Sequence, residues 1–327
     1  MTGRTARRAG PLAVWTAVGV AITLLGGIAA WFVLGRDPSP TCNGLAEDKR
    51  VQQSLGAAVQ PGMLCAALGE AIVKGTVGSE PGIHSREQAQ ALKDVLFALG
   101  SAQPDGLTLD PALRLPLATA LADYAPDVHE LLVTLDSKYV LEGGRTNPPW
   151  ESGGTHHLSV YSTVFRHVVR AVSEDPRAYA LLRTAESRQV ARELAGVPRD
   201  AKDAAFSLPA TKGARALGVL DGIANVIVDR LDKDEARAWR ATVVEGVARG
   251  LAAPGTGADS TGATITADWL GTFEKTPEEE RFNRLSTQGV DLAGIWLKSR
   301  NTDEATRQDL LADVEDSARG GSREVKP

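Results

Sequence analysis

Two adjacent histidines, His156 and His157, follow a Gly-Gly-Thr run, with Trp150 and Glu151 just upstream. Neighbouring imidazoles can bind a metal ion or an anion, and each changes charge near neutral pH. Read as the entrance to a helix, the pair caps it with one ring and leaves the other in water. Along one helix His167 would lie about 20° round from His156 but roughly 16 Å away, so a single ion cannot be chelated by both. No HExxH and no Cys/His cluster occurs, so a metal would need ligands from distant segments. Neither a metal nor a cofactor is expected. Trp150, Glu151, His156 and His157 are the candidate binding residues, because an aromatic beside paired histidines on a long loop has no packing role legible in the sequence.

Glu186-Ser187 is the carboxylate setting closest to an enzyme's. Thr184-Ala-Glu-Ser187 is followed downstream by Lys212-Gly-Ala-Arg215. These two pieces resemble lytic transglycosylases of the lysozyme type, which carry a catalytic Glu followed by Ser and a later Gly-Ala segment. The resemblance implies a helical domain, peptidoglycan as substrate and Glu186 as the catalytic residue. It covers two short pieces only. The Gly-Leu-Met-Gln run of that family is absent, with Ala216-Leu-Gly-Val219 in its place. Aromatics make up only 5% of the chain, few for a sugar-binding cleft. Read from the residues alone, Glu186 lies mid-helix near Arg183 and Arg192, the setting of a solvated, salt-bridged face.

Other chemistries find no footing. There is no GxSxG elbow, and Gly153-Gly154 and Gly320-Gly321 lack the Lys-Ser/Thr ending of a phosphate loop. The acidic runs Glu278 to Glu280 and Asp313 to Asp316 read as helix-start carboxylates and a solvated last helix. Neither alternates oxygen ligands around a glycine as a calcium loop does.

What must position these residues begins with Leu12 to Gly35, an uncharged run of about 24 residues that would reach roughly 36 Å as a helix. That exceeds the ~30 Å hydrocarbon core of a bilayer. Trp15 stands near one end, and Trp31 with Phe32 near the other, where interfacial aromatics belong. Arg4, Arg7 and Arg8 precede the run without any acid, so the N-terminus is expected inside and the rest of the chain outside. The run is longer than the ~7–15 residues of a signal-peptide core, which favours a retained anchor over cleavage near Gly27-Ile28-Ala29. Small residues at Gly19, Thr23 and Gly27, and at Gly26 and Ala30, have the spacing of a homodimer contact between membrane helices, although such residues are common in any Gly/Ala-rich chain.

Outside the cytoplasm Cys42 and Cys65, the only cysteines, are expected to form a disulfide. Closing a loop of about 23 residues would add roughly 3 kcal/mol. The chain carries a formal −5, and four arginines without an acid before Asp37 leave −9 from there onward. Such a domain repels nucleic acid and favours a basic partner. The abundance of Ala and Gly, with Arg well above Lys, is the pattern of a high-GC bacterial genome.

Beyond the Pro-rich spacer the pattern is helical almost throughout, and no period-2 run of β-branched residues appears. Leu45 to Gln60 and Gly62 to Lys74 form a first pair. Ser85 to Gln88 reads as a capping box whose helix stops at Gly100, and Asp110-Pro111 as an N-cap, with Pro116 expected to delay or kink its helix. Asp127 to Leu135 is a shorter helix, and Glu142 to Thr155 the clearest loop. Helices follow over Leu158 to Val172, Asp175-Pro176 to Leu194, Leu208 to Leu231 and Asp234 to Leu251. Thr276 to Glu279 reads as a capping box opening a helix to about Lys298, and Asn301 to Glu304 starts the last one. Arg177-Ala-Tyr179 with Val190 to Ala195 is echoed by Arg237-Ala-Trp239 with Val247 to Ala252, a single echo that falls short of a repeat array.

The expected plan is therefore a short basic tail (1–11), a membrane anchor (12–35), a spacer (36–44), an all-α domain (45–317) with a break near 142–155, and a disordered tail (318–327). The expected role is a membrane-anchored envelope protein that binds a protein partner. A peptidoglycan-lytic enzyme using Glu186, and an immunity or assembly factor of an exported system, are the other classes.

Overall fold

Aspartates start six of the helices. In the computed structural model, which describes residues 41–80, 82–102, 106–254 and 260–325, a 3-10 turn at Thr41–Gly44 leads into α1 (Lys49–Leu55) and α2 (Cys65–Thr76). There follow α3 (Arg86–Ala102), α4 (Pro111–Asp123), α5 (Ala125–Val133) and a short α6 (Ser137–Leu141). A hairpin of β1 (Trp150–Ser152) and β2 (Thr155–His157) separates these from α7 (Ser162–Ser173), α8 (Pro176–Gly196), α9 (Asp203–Val228) and α10 (Lys233–Ala252). The last four are α11 (Ser260–Phe273), α12 (Glu278–Leu285), α13 (Gln288–Ser299) and α14 (Glu304–Arg323). Asp48, Asp110, Asp136, Asp175, Asp232 and Asp303 each accept from a first-turn backbone N–H, satisfying a donor that the helix leaves orphaned. The Ser85–Gln88 box forms as read, with Gln88 N–H on Ser85 Oγ at 3.2 Å and Ser85 N–H on Gln88 Oε1 at 2.8 Å.

α8 is the axle. It packs against α4, α5, α7, α10, α11 and α13, with α9 antiparallel beside it. A helix enclosed on so many sides buries polar as well as apolar residues, and Arg183, Glu186, Ser187 and Gln189 lie inside along with Leu182, Val190 and Leu194. The echoed hairpins meet here. α10 runs parallel to α8, placing Tyr179 against Trp239 (ring centroids 5.1 Å apart) and Gly250 against Thr184. One core extends from Cys42 to Val314, so the break near 142–155 is a loop and hairpin laid on that core rather than a boundary within it.

The fold is mostly helical as expected, and Cys42 is bonded to Cys65 with their Cα atoms 5.1 Å apart. Several local expectations change. His156 and His157 stand on a β-strand, not at a helix entrance. Leu158 to Tyr161 also stay outside α7. Pro116 does not delay α4; its ring lies in the space a side chain at Gly69 of α2 would need. The helix expected from Thr276 to Lys298 is broken after Leu285, and Thr276 bonds back to the Thr272 carbonyl instead of capping. The cause of the break is remote: buried Arg183 donates to the Leu285 carbonyl and, at 2.9 Å, to Gln288. The tail expected to be disordered from residue 318 is helical through Arg323 and lies on α9, where added Cβ atoms at Gly218 and Gly321 would fall 2.1 and 2.3 Å from backbone oxygens. The Leu12–Gly35 run, its small-residue spacing and the spacer to Pro40 lie outside the described residues. Within those residues no helix is long and apolar enough to cross a membrane.

Candidate functional site

Gly153 and Gly154 both take positive φ, 61° and 82°, as a two-residue hairpin turn requires. They set the register Trp150↔His157, Glu151↔His156 and Ser152↔Thr155. Since strand side chains alternate between faces, the register splits the histidine pair. Trp150 and His157 turn inward, while Glu151 and His156 share the opposite face.

The inward pair joins a compact polar knot. His157 Nδ1 is 2.7 Å from Asp127 Oδ1, and the Tyr139 hydroxyl donates to the same oxygen. The Trp150 ring stacks on His157 at 5.7 Å, meets Tyr139 edge-on at 5.0 Å and carries the Lys138 ammonium 5.0 Å from its centroid. The Asp127 hydrogen bond outweighs burial and raises the His157 pKa, with the Ser152 carbonyl adding to the effect. Burial, then Asp127, pushes the Tyr139 phenol far above its ordinary range, so it stays a donor. Trp150, singled out for want of a packing role, has one here.

Outward, β2 is tied to the segment before α3. The His156 N–H reaches the His84 carbonyl at 3.0 Å, and the His84 N–H reaches Thr155 Oγ1 at 2.8 Å. His84 stacks on Tyr124 at 3.5 Å and pairs through Nε2 with Asp123 at 2.8 Å. Burial works against the Asp123 carboxylate, but His84 and the Gly78 N–H outweigh it and hold its pKa low. Glu151 is exposed. Among the described residues no group of three or more His, Cys, Asp or Glu is placed to hold a metal.

Glu186 is elsewhere and is not on a solvated face. It is 1% exposed, on the buried side of α8, with His129 Nδ1 2.6 Å away. His129 Nε2 lies 3.3 Å from Glu193, an ion-pair separation that is not aligned as a hydrogen bond. Lys212 pairs closely with Glu130 and sits 4.0 Å from Glu193. Burial alone would discharge His129, yet Glu186 first and then Glu193 raise its pKa to about 10; against its own burial, Glu193 falls to about 2. Of the two pieces likened to a lytic enzyme, Lys212-Gly213 packs further along α8 from Glu186, against Val190 and Glu193. No polysaccharide can reach a carboxylate enclosed as Glu186 is.

The chain matches no protein-family model, curated protein or solved structure.

Residues not singled out from the sequence surround the knot. Leu135, Val140, Leu141 and Tyr161 are 58%, 60%, 74% and 54% exposed, four of the seven large hydrophobics that the described residues leave in water. Val140 and Tyr161 line a cavity of about 260 Å³ together with Glu130, Leu131, Thr134 and Tyr139. The signal was Tyr139-Val140-Leu141, three apolar residues in succession on a five-residue helix, of which only Tyr139 is buried. A larger open groove of about 1360 Å³ follows α10 and α12, with walls of mixed charge that include Arg237, Glu245 and Glu278.

Proposed function

We propose that this protein is a membrane-anchored, extracytoplasmic binding module that recognises a protein partner through the surface formed by α6, the start of α7 and the neighbouring hairpin. The single observation carrying this reading is that exposed Val140 and Tyr161 line one cavity, while exposed Leu135 and Leu141 each stand next in the chain to a lining residue, Thr134 and Val140. Contiguous apolar side chains on a folded domain mark a contact surface, whereas scattered ones need no explanation. Trp150, His157 and Tyr139 stiffen the ground beneath that surface, and Glu151 and His156 supply polar groups on the outer face of the hairpin. The anchor rests on the Leu12–Gly35 run, and the side of the membrane on the arginines before it. Glu186, enclosed with His129, gives no support to a lytic enzyme.

A photocrosslinking residue placed at Val140 in the full-length protein, expressed in its own cells, tests this surface. One discrete adduct is expected from Val140, lost when Leu135 and Tyr161 are both changed to Ser, and none from the same residue placed at Ala241 in the α10 groove. Equal adducts from both positions, or none from Val140, would overturn the reading.

A further inference from the structure

Leu64 is the most exposed large hydrophobic among the described residues, at 77%. It ends the loop between α1 and α2, in a stretch with no charged residue between Arg50 and Glu70. Ala57, Ala58, Pro61 and Gly62 of the same loop are exposed with it. The Cys42–Cys65 bond ties this loop to the first described turn. With those Cα atoms 5.1 Å apart, the Leu64 Cα lies within about 9 Å of that of Cys42. Asn43 fixes the turn in its own right, donating to the Thr108 carbonyl at 2.6 Å and accepting the Asp110 N–H at 3.1 Å.

The length of chain before that turn limits how far the loop can stand from lipid. Seven residue steps separate Gly35, the last of the uncharged run, from Cys42. At ~3.3–3.6 Å each they span at most about 25 Å. Charge decides which face within that reach turns to the bilayer. A domain at −9 is repelled by anionic head groups, and this loop is where the repulsion is least. Resting on the membrane anchor proposed above, we infer that the loop 56–64 lies on the bilayer, with Leu64 inserted at the boundary of head groups and acyl chains. Exposed Glu47 accepts the Gly62 N–H at 3.2 Å, which keeps its carboxylate at head-group depth, within reach of water. The disulfide then holds the inserted side chain beside the point where the chain leaves the lipid, giving the domain a second attachment.

The test uses the full-length protein in vesicles of phosphatidylethanolamine and phosphatidylglycerol. A diazirine-bearing residue replaces Leu64 or, for comparison, Ala241 on α10, both exposed, so that neither change disturbs the core. After irradiation, mass spectrometry of protein with its disulfide intact locates the adducts. Acyl-chain adducts are expected from position 64 and none from position 241. Head-group adducts alone, equal adducts from both positions, or none from position 64 would overturn the inference. A partner crosslinked at Val140 without a lipid adduct at position 64 would leave the recognition surface standing and remove only this contact. Acyl-chain adducts at position 64 without a crosslinked partner would do the reverse. Release of the protein from the vesicles by alkaline carbonate would remove the anchor, and this contact with it.

Discussion

His129 sits where an imidazole would ordinarily lose its charge, and keeps it because two carboxylates close around it. Buried ion pairs of this kind add little net stability over an apolar core, but removing one member leaves the other charged and alone. His129→Leu is therefore expected to cost about 3–5 kcal/mol in urea unfolding, and His129→Leu with Glu186→Leu to recover most of that loss. A double mutant no more stable than the single would contradict the pairing. The pH dependence follows from the same groups. The folded state holds the His129 proton to about pH 10 against an ordinary 6.5, so its contribution is complete below 6.5 and fades as pH rises towards 10. Glu193, at about 2 against 4.5, contributes above 4.5 and loses its contribution as pH falls towards 2. Lys93 acts in the opposite sense. Burial lowers its pKa to about 8 against 10.5, although its ammonium donates to the Glu142 carbonyl at 3.0 Å. The unfolded chain keeps that proton longer, so Lys93 adds stability as pH rises from 8 to 10.5. Urea midpoints measured from pH 6 to 10 should flatten in His129→Leu and fall more steeply in Lys93→Met. Parallel curves for the wild type and both variants would refute the assignments.

At the scale of elements, glycines decide the closest contacts. α14 lies on α9 so tightly that a Cβ at Gly218 would stand 2.1 Å from the Ala318 carbonyl oxygen and one at Gly222 2.5 Å from that of Ser322. Gly218→Val should therefore destabilise by about 2 kcal/mol or more through overpacking. Gly271→Ala, in α11 with open space around it, should stabilise by about 0.5–1 kcal/mol. Thermal unfolding of the two variants separates packing from propensity, and equal shifts would refute the α9–α14 contact. Helix starts were legible in the sequence because an Asp or Ser cap is a local device, as at Ser85, Asp110 and Asp175. The hairpin is only half legible, in Gly153-Gly154, itself a hairpin signal. Its three-residue strands are too short to show alternation, and two histidines suggested a cap. The break between α12 and α13 left no local mark, because it is held by Arg183 about a hundred residues earlier in the chain. The helical tail was hidden for a related reason: Gly320-Gly321 looks like an ending until α9 is beside it. At the candidate site Trp150 and His157 are legible in the sequence without their purpose, and Val140 and Tyr161 are not, because exposure is a property of the packed molecule.

For the whole molecule, the membrane anchor proposed above would put the cysteine pair outside the cytoplasm. Alkylation of free thiols in intact cells before lysis should leave Cys42 and Cys65 unmodified, as a disulfide formed outside the cytoplasm would. Two alkylated thiols would place the domain inside. Were the partner basic, as the acidic domain leads one to expect, association would weaken with salt, since charges beyond about 10 Å are screened at 0.1 M. The recognition surface itself is tested most directly by hydrogen exchange of the full-length protein in its native membranes, compared with the same protein purified in detergent. Slower exchange in the membranes is expected in peptides covering residues 131–141 and 158–163, with the α10 groove at 233–249 unchanged. Protection confined to 233–249, or no difference anywhere, would contradict a partner seated on α6 and Tyr161.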